Sequence, residues 1–180
     1  SAELIIKARI AQEHPLLIFE EVPKSTKTES KRLGFESLFE RGKTVQFFDL
    51  PERLWATTGI KIANLALYHS FGRLRNALQH FSPDVEEDLS GRSLEFIFGI
   101  IDPLIHDSWG LFAVDYDEDH VEYEYMLGSI IRREILFRVP ASLAKKWRFA
   151  EAYLDDASQG YREQMNARAK RAMPKEPTRG

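Results

Sequence analysis

Three polar residues whose types can cleave RNA lie within six positions of one another: Arg75, Asn76 and His80. On an α-helix, Asn76 and His80 are i, i+4 neighbours on one face, and the long side chain of Arg75 can swing across that face. Histidine exchanges protons near neutral pH, arginine offers phosphate a permanent planar cation, and asparagine can orient the imidazole or donate to a phosphate oxygen. These groups suit a metal-independent cleavage in which a ribose 2′-OH attacks the adjacent phosphodiester.

The same residues also have simpler explanations. A lone arginine on a helix is more often the partner of a surface carboxylate, and a lone histidine near a helix C-terminus interacts favourably with the helix dipole. Asn76 alone does not indicate catalysis, and a catalytic role for it depends entirely on Arg75 and His80. The sequence therefore leaves two interpretations open, a catalytic group or unrelated surface residues of one helix.

The helix that carries these residues has the clearest pattern in the chain. It is predicted over residues 61–81 and ends at Ser82-Pro83. Its core-facing seam is predicted to consist of Leu67, Phe71, Leu74 and Leu78. A first amphipathic helix is predicted over residues 2–14. Its apolar stripe is predicted to consist of Leu4, Ile5, Ala8 and Ala11.

Most of the remaining chain is also typical of helices. The predicted helices are a short one at 35–42, one beginning at Asp49 and ending at Gly59, a heavily buried one at 91–110, one at 121–135 and one from 142 to about 173. The runs 16–22 and 135–140 could form one strand pair, and 23–34 and the acidic run 115–120 are predicted loops. Because that acidic run lacks a glycine at its sixth position, we do not interpret it as a calcium loop. The predicted fold class is all-α, an antiparallel bundle of four to five helices with at most one short β-hairpin or strand pair.

The order arginine, asparagine, three residues, histidine, late in a helix of an all-helical domain, resembles the signature of HEPN domains. The first helix carries Glu3-Leu4-Ile5-Ile6-Lys7, which is similar to the Glu-x-x-x-Lys pattern of the opening helix in that family. The resemblance covers roughly residues 1–135. By this comparison we expect a HEPN-like bundle at 1–140, a helical extension packed on it at 141–173 and a disordered tail at 174–180.

The resemblance implies a metal-independent endoribonuclease that needs no cofactor, in a toxin–antitoxin, anti-phage defence or stress-response setting. Arg75, Asn76 and His80 would be catalytic, while Glu3 and Lys7 would support or flank the site. The implied partners are RNA, a second copy in a homodimer with a composite site, and an antitoxin or regulatory protein. Two alternatives stay open, a non-catalytic HEPN-like module that binds RNA or protein, and a plain helical interaction domain. Plain helix stabilisation explains Glu3 and Lys7 equally well.

Composition excludes several other classes of function. The 180 residues are 43% hydrophobic and 29% charged with a net charge of -3, so any contact with nucleic acid must come from a local basic patch. The chain has no cysteine, which excludes a thiolate metal site, and its histidines are too scattered for a zinc cluster, so we expect no metal. No apolar run approaches a membrane span, and we expect a cytoplasmic protein without membrane contact.

Two further polar features have two explanations each. His106-Asp107 follows the buried helix and is either a polar turn near the site or, more commonly for such residues, a satisfied structural pair. The segment 160–180 is basic in an otherwise acidic chain and either attracts RNA phosphates or an acidic partner, or is a solubilising terminal helix. Its basic residues are Arg162, Arg168, Lys170, Arg171, Lys175 and Arg179.

Overall fold

The computed structural model of the protein describes residues 2–21, 34–79, 88–115 and 124–174. It divides into two compact units, Ser1–Leu65 and Ala66–Gly180. Helices dominate both units, and a two-stranded antiparallel sheet is present, which confirms the predicted fold class. Most of the predicted loop at 23–34, most of the acidic run at 115–120, and the tail beyond residue 174 lie outside the described residues.

The first unit consists of short helices around one small sheet. Its α-helices are α1 (Ala2–Glu13), α2 (Phe35–Arg41) and α3 (Leu50–Thr58). Its 3₁₀ turns are Pro15–Ile18 and Phe47–Asp49, and its strands are β1 (Phe19–Glu21) and β2 (Lys43–Thr44). The predicted end of α3 at Gly59 is confirmed, because Gly59 adopts a left-handed conformation with φ of 74° and its N–H bonds to the carbonyl of Trp55 at 2.9 Å.

The apolar stripe predicted for α1 is wrong. Ile6 and Ile10 are fully buried, whereas Leu4 is 70% exposed and Ala8 is also exposed. α1 packs mainly against α3, and the face that it turns inward contains the two large β-branched side chains one helical turn apart. The alanines of the predicted stripe offer much less apolar area to bury than these isoleucines do.

The second unit contains the remaining helices. They are α4 (Leu65–Gln79), which begins at the last residue of the first unit, α5 (Leu89–Phe96), α6 (Asp102–Trp109), α7 (Glu124–Arg132), α8 (Ala141–Lys145), α9 (Trp147–Leu154) and α10 (Gln159–Ala172). Its largest buried cluster draws on both sides of residue 140. The cluster includes Phe98, Leu127, Ile130, Ile131, Phe137, Leu143, Trp147, Leu154, Tyr161 and Met165.

The predicted buried helix at 91–110 is confirmed as a continuous helical run. A π-helical segment, Ile97–Ile101, joins α5 to α6, and the N–H of Asp102 bonds to the carbonyl of Ile97. Pro103 has no N–H to give to the carbonyl four residues earlier, and its ring crowds that carbonyl, which accounts for the wider turn at this point. Gly99 within the segment packs closely on α4, since a Cβ there would lie 2.7 Å from Leu67.

The seam predicted for α4 is right in its centre and wrong at its end. Tyr68 is fully buried, Leu74 is buried, and Phe71 stacks on Phe96 with ring centroids 4.0 Å apart and planes 15° apart. Leu78 is 45% exposed, because the last turn of α4 extends past the apolar side chains that cover its middle. The C-terminal turns of this helix are therefore anchored from one side only.

The predicted strand at 135–140 is wrong, and β1 pairs with β2 instead. Residues 135–140 form neither a helix nor a strand, and side chains from α10 take up two of their carbonyl groups. The Tyr161 hydroxyl donates to the Ile135 carbonyl and the Arg168 guanidinium to the Phe137 carbonyl, both at 2.7 Å. Buried backbone groups need partners, and here α10 supplies what a neighbouring strand would otherwise supply.

Candidate functional site

Arg75 and Asn76 lie side by side on the C-terminal turns of α4, and both are exposed. The preceding residue, Leu74, is buried and holds this part of the helix on the rest of the unit. A planar cation and an amide are thus presented next to each other on an exposed part of the helix. Such a pair can hold a phosphate group by charge-assisted hydrogen bonds.

His80, the third residue of the predicted catalytic group, lies outside the described residues. α4 is described up to Gln79, so its last described residue directly precedes the histidine. The convergence of His80 with Arg75 and Asn76 therefore stays a prediction from their spacing.

Glu3 and Lys7 form an ion pair in the first unit. The Lys7 ammonium lies 2.5 Å from a Glu3 carboxylate oxygen and donates to the Thr44 hydroxyl at 2.9 Å. Lys7 thereby links α1 to β2, which is a structural role that the sequence did not indicate. Because Arg75 and Asn76 belong to the second unit, the predicted support of the catalytic group by Glu3 and Lys7 stays a prediction.

A second group of polar side chains, which the sequence did not single out as one site, surrounds a cavity in the second unit. The cavity has a volume of about 640 Å³, and its walls come from the π-helical segment, α6, residues 135–140 and α10. We call it the arginine cleft. Its polar lining consists of Asp102, His106, Arg138, Arg168 and Arg171.

Asp102 holds together two of the segments that line the arginine cleft. Its side chain is 1% exposed, and its carboxylate accepts the N–H of Ala113 at 2.9 Å and the N–H of Arg138 at 3.2 Å. Burial raises the pKa of Asp102, and the two backbone N–H groups and the charge of Arg138 oppose that rise. Both carboxylate oxygens are thus committed to the backbone of neighbouring segments.

His106 is not the satisfied structural histidine that its sequence context favoured. Its Nδ1 atom is buried and finds no hydrogen-bond partner within the part of the chain that the structure describes. The ring lies against Phe112, with centroids 4.7 Å apart, and lines the arginine cleft. Buried polar atoms are normally paired, so this nitrogen is an exception among the described residues.

The basic C-terminal segment is only partly a free surface. Arg162 donates to the carbonyls of Asp155 and Ala157 at 2.8 and 3.3 Å, and Arg168 donates to that of Phe137. Through these hydrogen bonds the two arginines connect α10 to the segments that precede it in the chain. Lys170 and Arg171 are exposed, whereas Lys175 and Arg179 lie outside the described residues.

Within residues 2–21, 34–79, 88–115 and 124–174, no group of three or more histidine, aspartate or glutamate side chains could hold a metal ion. In the same ranges, no helix is long and apolar enough to cross a membrane.

No protein-family model, no curated protein and no solved structure matches this chain.

Proposed function

We propose that the protein is a metal-independent endoribonuclease of the HEPN type that acts in the cytoplasm, in toxin–antitoxin, anti-phage defence or stress response. The observation that carries the proposal is the joint exposure of Arg75 and Asn76 on the last described turns of α4, directly before His80. The HEPN-like order of these residues supplies their roles. His80 transfers the proton, and Asn76 orients its imidazole. Arg75 binds the phosphate and stabilises the charge of the transition state.

A homodimer is part of the same proposal. Arg75 and Asn76 are exposed on α4, so each copy offers RNA an exposed helix surface. A second copy facing the same surface would enclose the phosphodiester between two sets of these residues. An antitoxin or other regulatory protein that covers this surface would inhibit the activity.

The second candidate function is a non-catalytic HEPN-like module that binds RNA or protein. The exposure of Arg75 and Asn76 favours it, because catalysis usually takes place in a concave site from which water is excluded. The two candidates differ in one measurable property, since the module binds RNA and leaves it intact.

Replacing Arg75 with alanine is expected to slow RNA cleavage at least about a hundredfold, because it removes a donor that stabilises the transition state. The change should leave the free energy of unfolding within about 0.5 kcal/mol of the wild type, since the side chain is exposed. The rate is measured on a mixed RNA pool under single-turnover conditions, and stability is measured by urea unfolding.

Arg73→Ala is the matched control. Arg73 is an exposed arginine of the same helix, and two positions of separation turn its side chain by about 200° away from that of Arg75. Cleavage by Arg73→Ala should stay within about twofold of the wild type. Equal rates in the two variants would contradict the site, and binding of intact RNA without any cleavage by the wild type would favour the non-catalytic module.

A further inference from the structure

The arginine cleft concentrates positive charge that the described residues only partly neutralise. Arg138 has a carboxylate partner, since its guanidinium lies 3.2 Å from a carboxylate oxygen of Asp107. Among the residues with described positions, no carboxylate lies within ion-pair distance of Arg168 or Arg171. Arg168 uses one N–H on the Phe137 carbonyl and keeps further donors in its planar fork. The cleft therefore offers an anion several donors.

The three guanidinium groups also repel one another. Burial lowers the pKa of Arg168, and the neighbouring charges of Arg171 and Arg138 lower it further, while Tyr161 and Asp102 oppose that shift. Like charges placed around one cavity lower the stability of the folded protein unless an opposite charge compensates for them. A bound anion would remove this repulsion, so the same charges that destabilise the empty cleft would favour its occupied form.

Asp102 offsets only part of this charge, and its carboxylate opposes the lowering of the pKa of Arg168. The carboxylate is buried, and both of its oxygens already accept backbone N–H groups. His106 also lines the cleft, but its Nδ1, which has no partner among the described residues, is buried, so the arginines are the donors that an anion would meet.

The volume and the apolar walls of the cleft indicate which chemical group is attached to the bound anion. A volume of about 640 Å³ lies in the range of small-molecule sites and far exceeds the space that a five-atom phosphate ion fills. Phe98, Phe112, Leu136 and Val139 line it alongside the charged residues. Apolar walls next to a cluster of arginines suit a ligand that has both a phosphate and a carbon moiety.

We propose that the arginine cleft binds a small organic phosphate, a monoester whose phosphate bonds to Arg138, Arg168 and Arg171 and whose carbon moiety lies against the apolar wall. The inference does not rest on the proposed ribonuclease activity, because none of these residues belongs to α4. The site would give the protein a small-molecule ligand in addition to any RNA.

Isothermal titration calorimetry with phenyl phosphate, at fixed ionic strength in chloride, tests the proposal. The wild type should bind, and Arg171→Gln should raise the dissociation constant at least about tenfold, because it removes a charge-assisted donor. Lys170→Gln is the matched control, since it removes one charge from the adjacent exposed position of α10, outside the cleft lining, and should change the constant by less than about twofold.

Three outcomes would overturn the proposal. They are the absence of binding to the wild type at millimolar phenyl phosphate, equal weakening by Arg171→Gln and Lys170→Gln, and inorganic phosphate binding as tightly as phenyl phosphate. Without ligand, Arg171→Gln should unfold at the wild-type temperature or above it, because it relieves repulsion in the cleft. Should that variant fail to fold, Arg138→Gln serves as the second one, with the same expected loss of affinity.

Discussion

Replacing Asp102 with alanine is expected to lower the free energy of unfolding by about 3 kcal/mol or more. The change leaves the N–H groups of Ala113 and Arg138 without their acceptor in a buried place, at about 1–3 kcal/mol each. It also opens a small cavity where α6, the 3₁₀ turn Ala113–Asp115 and residues 135–140 meet. Urea unfolding followed by tryptophan fluorescence measures the loss.

Asp107→Ala is the matched control for this prediction. Asp107 lies on the same helix, but its side chain is exposed and its described contact is an ion pair with Arg138 at the surface. Such pairs contribute at most about 1 kcal/mol. An Asp102→Ala variant that loses no more stability than Asp107→Ala would contradict the structural role assigned to the buried carboxylate.

The pH dependence of stability gives an independent check on Asp102. Because burial raises its pKa in the folded state above the ordinary value of 3.8, the folded protein binds this proton more readily than the unfolded chain. Wild-type stability relative to Asp102→Asn should therefore increase as the pH falls through the raised pKa, and this gain should be complete below 3.8. A relative loss of stability on acidification would show that the ionised form is the favoured one.

Replacing His80 with alanine is expected to slow RNA cleavage by about a hundredfold to ten-thousandfold, the range that general acid–base catalysis contributes. His80→Gln keeps a hydrogen-bonding side chain of similar length and removes the proton transfer, so it should be as inactive as the alanine variant. His69→Ala, on α4 six positions before Arg75, is the control and should cleave at the wild-type rate. Full activity in His80→Gln would show that His80 does not transfer a proton.

The sequence correctly predicted the helix whose burial follows from its own apolar residues. The run of apolar residues at 91–110 formed the expected buried helix, because a helix that is apolar on nearly all sides has to lie in the core. The periodicity of apolar residues was less informative where either of two helix faces could be the buried one. In α1, the stripe through Leu4 and Ala8 and the face with Ile6 and Ile10 both fit a helix, and packing against α3 selected the second.

The wrong strand at 135–140 has a different cause. β-branched and aromatic residues favour extended backbone, but a strand also needs a partner for its backbone groups. Tyr161 and Arg168, which lie 26 and 31 residues further along the chain from the carbonyls that they bind, take up those groups. Local sequence patterns contain no information about such distant side-chain partners.

The two candidate sites also differ in whether local sequence could reveal them. Arg75 and Asn76 are neighbours in one helix, so their joint exposure follows from local spacing alone. The arginine cleft brings together residues between Phe98 and Ala172 from several segments, so no spacing rule could reveal it. The signals that were present in the sequence were an aspartate in an apolar helix, His106 one helical turn after that aspartate, and a basic final helix.

Analysis of the RNA fragments that the wild type produces in excess EDTA tests the central proposal most directly. A mixed RNA pool is incubated with the purified protein, and the ends of the products are identified by mass spectrometry. Attack by the 2′-OH predicts EDTA-resistant cleavage that leaves 2′,3′-cyclic phosphate on one fragment and a 5′-hydroxyl on the other. Cleavage that stops in EDTA, or that leaves 5′-phosphate ends, would contradict the metal-independent mechanism assigned to Arg75, Asn76 and His80.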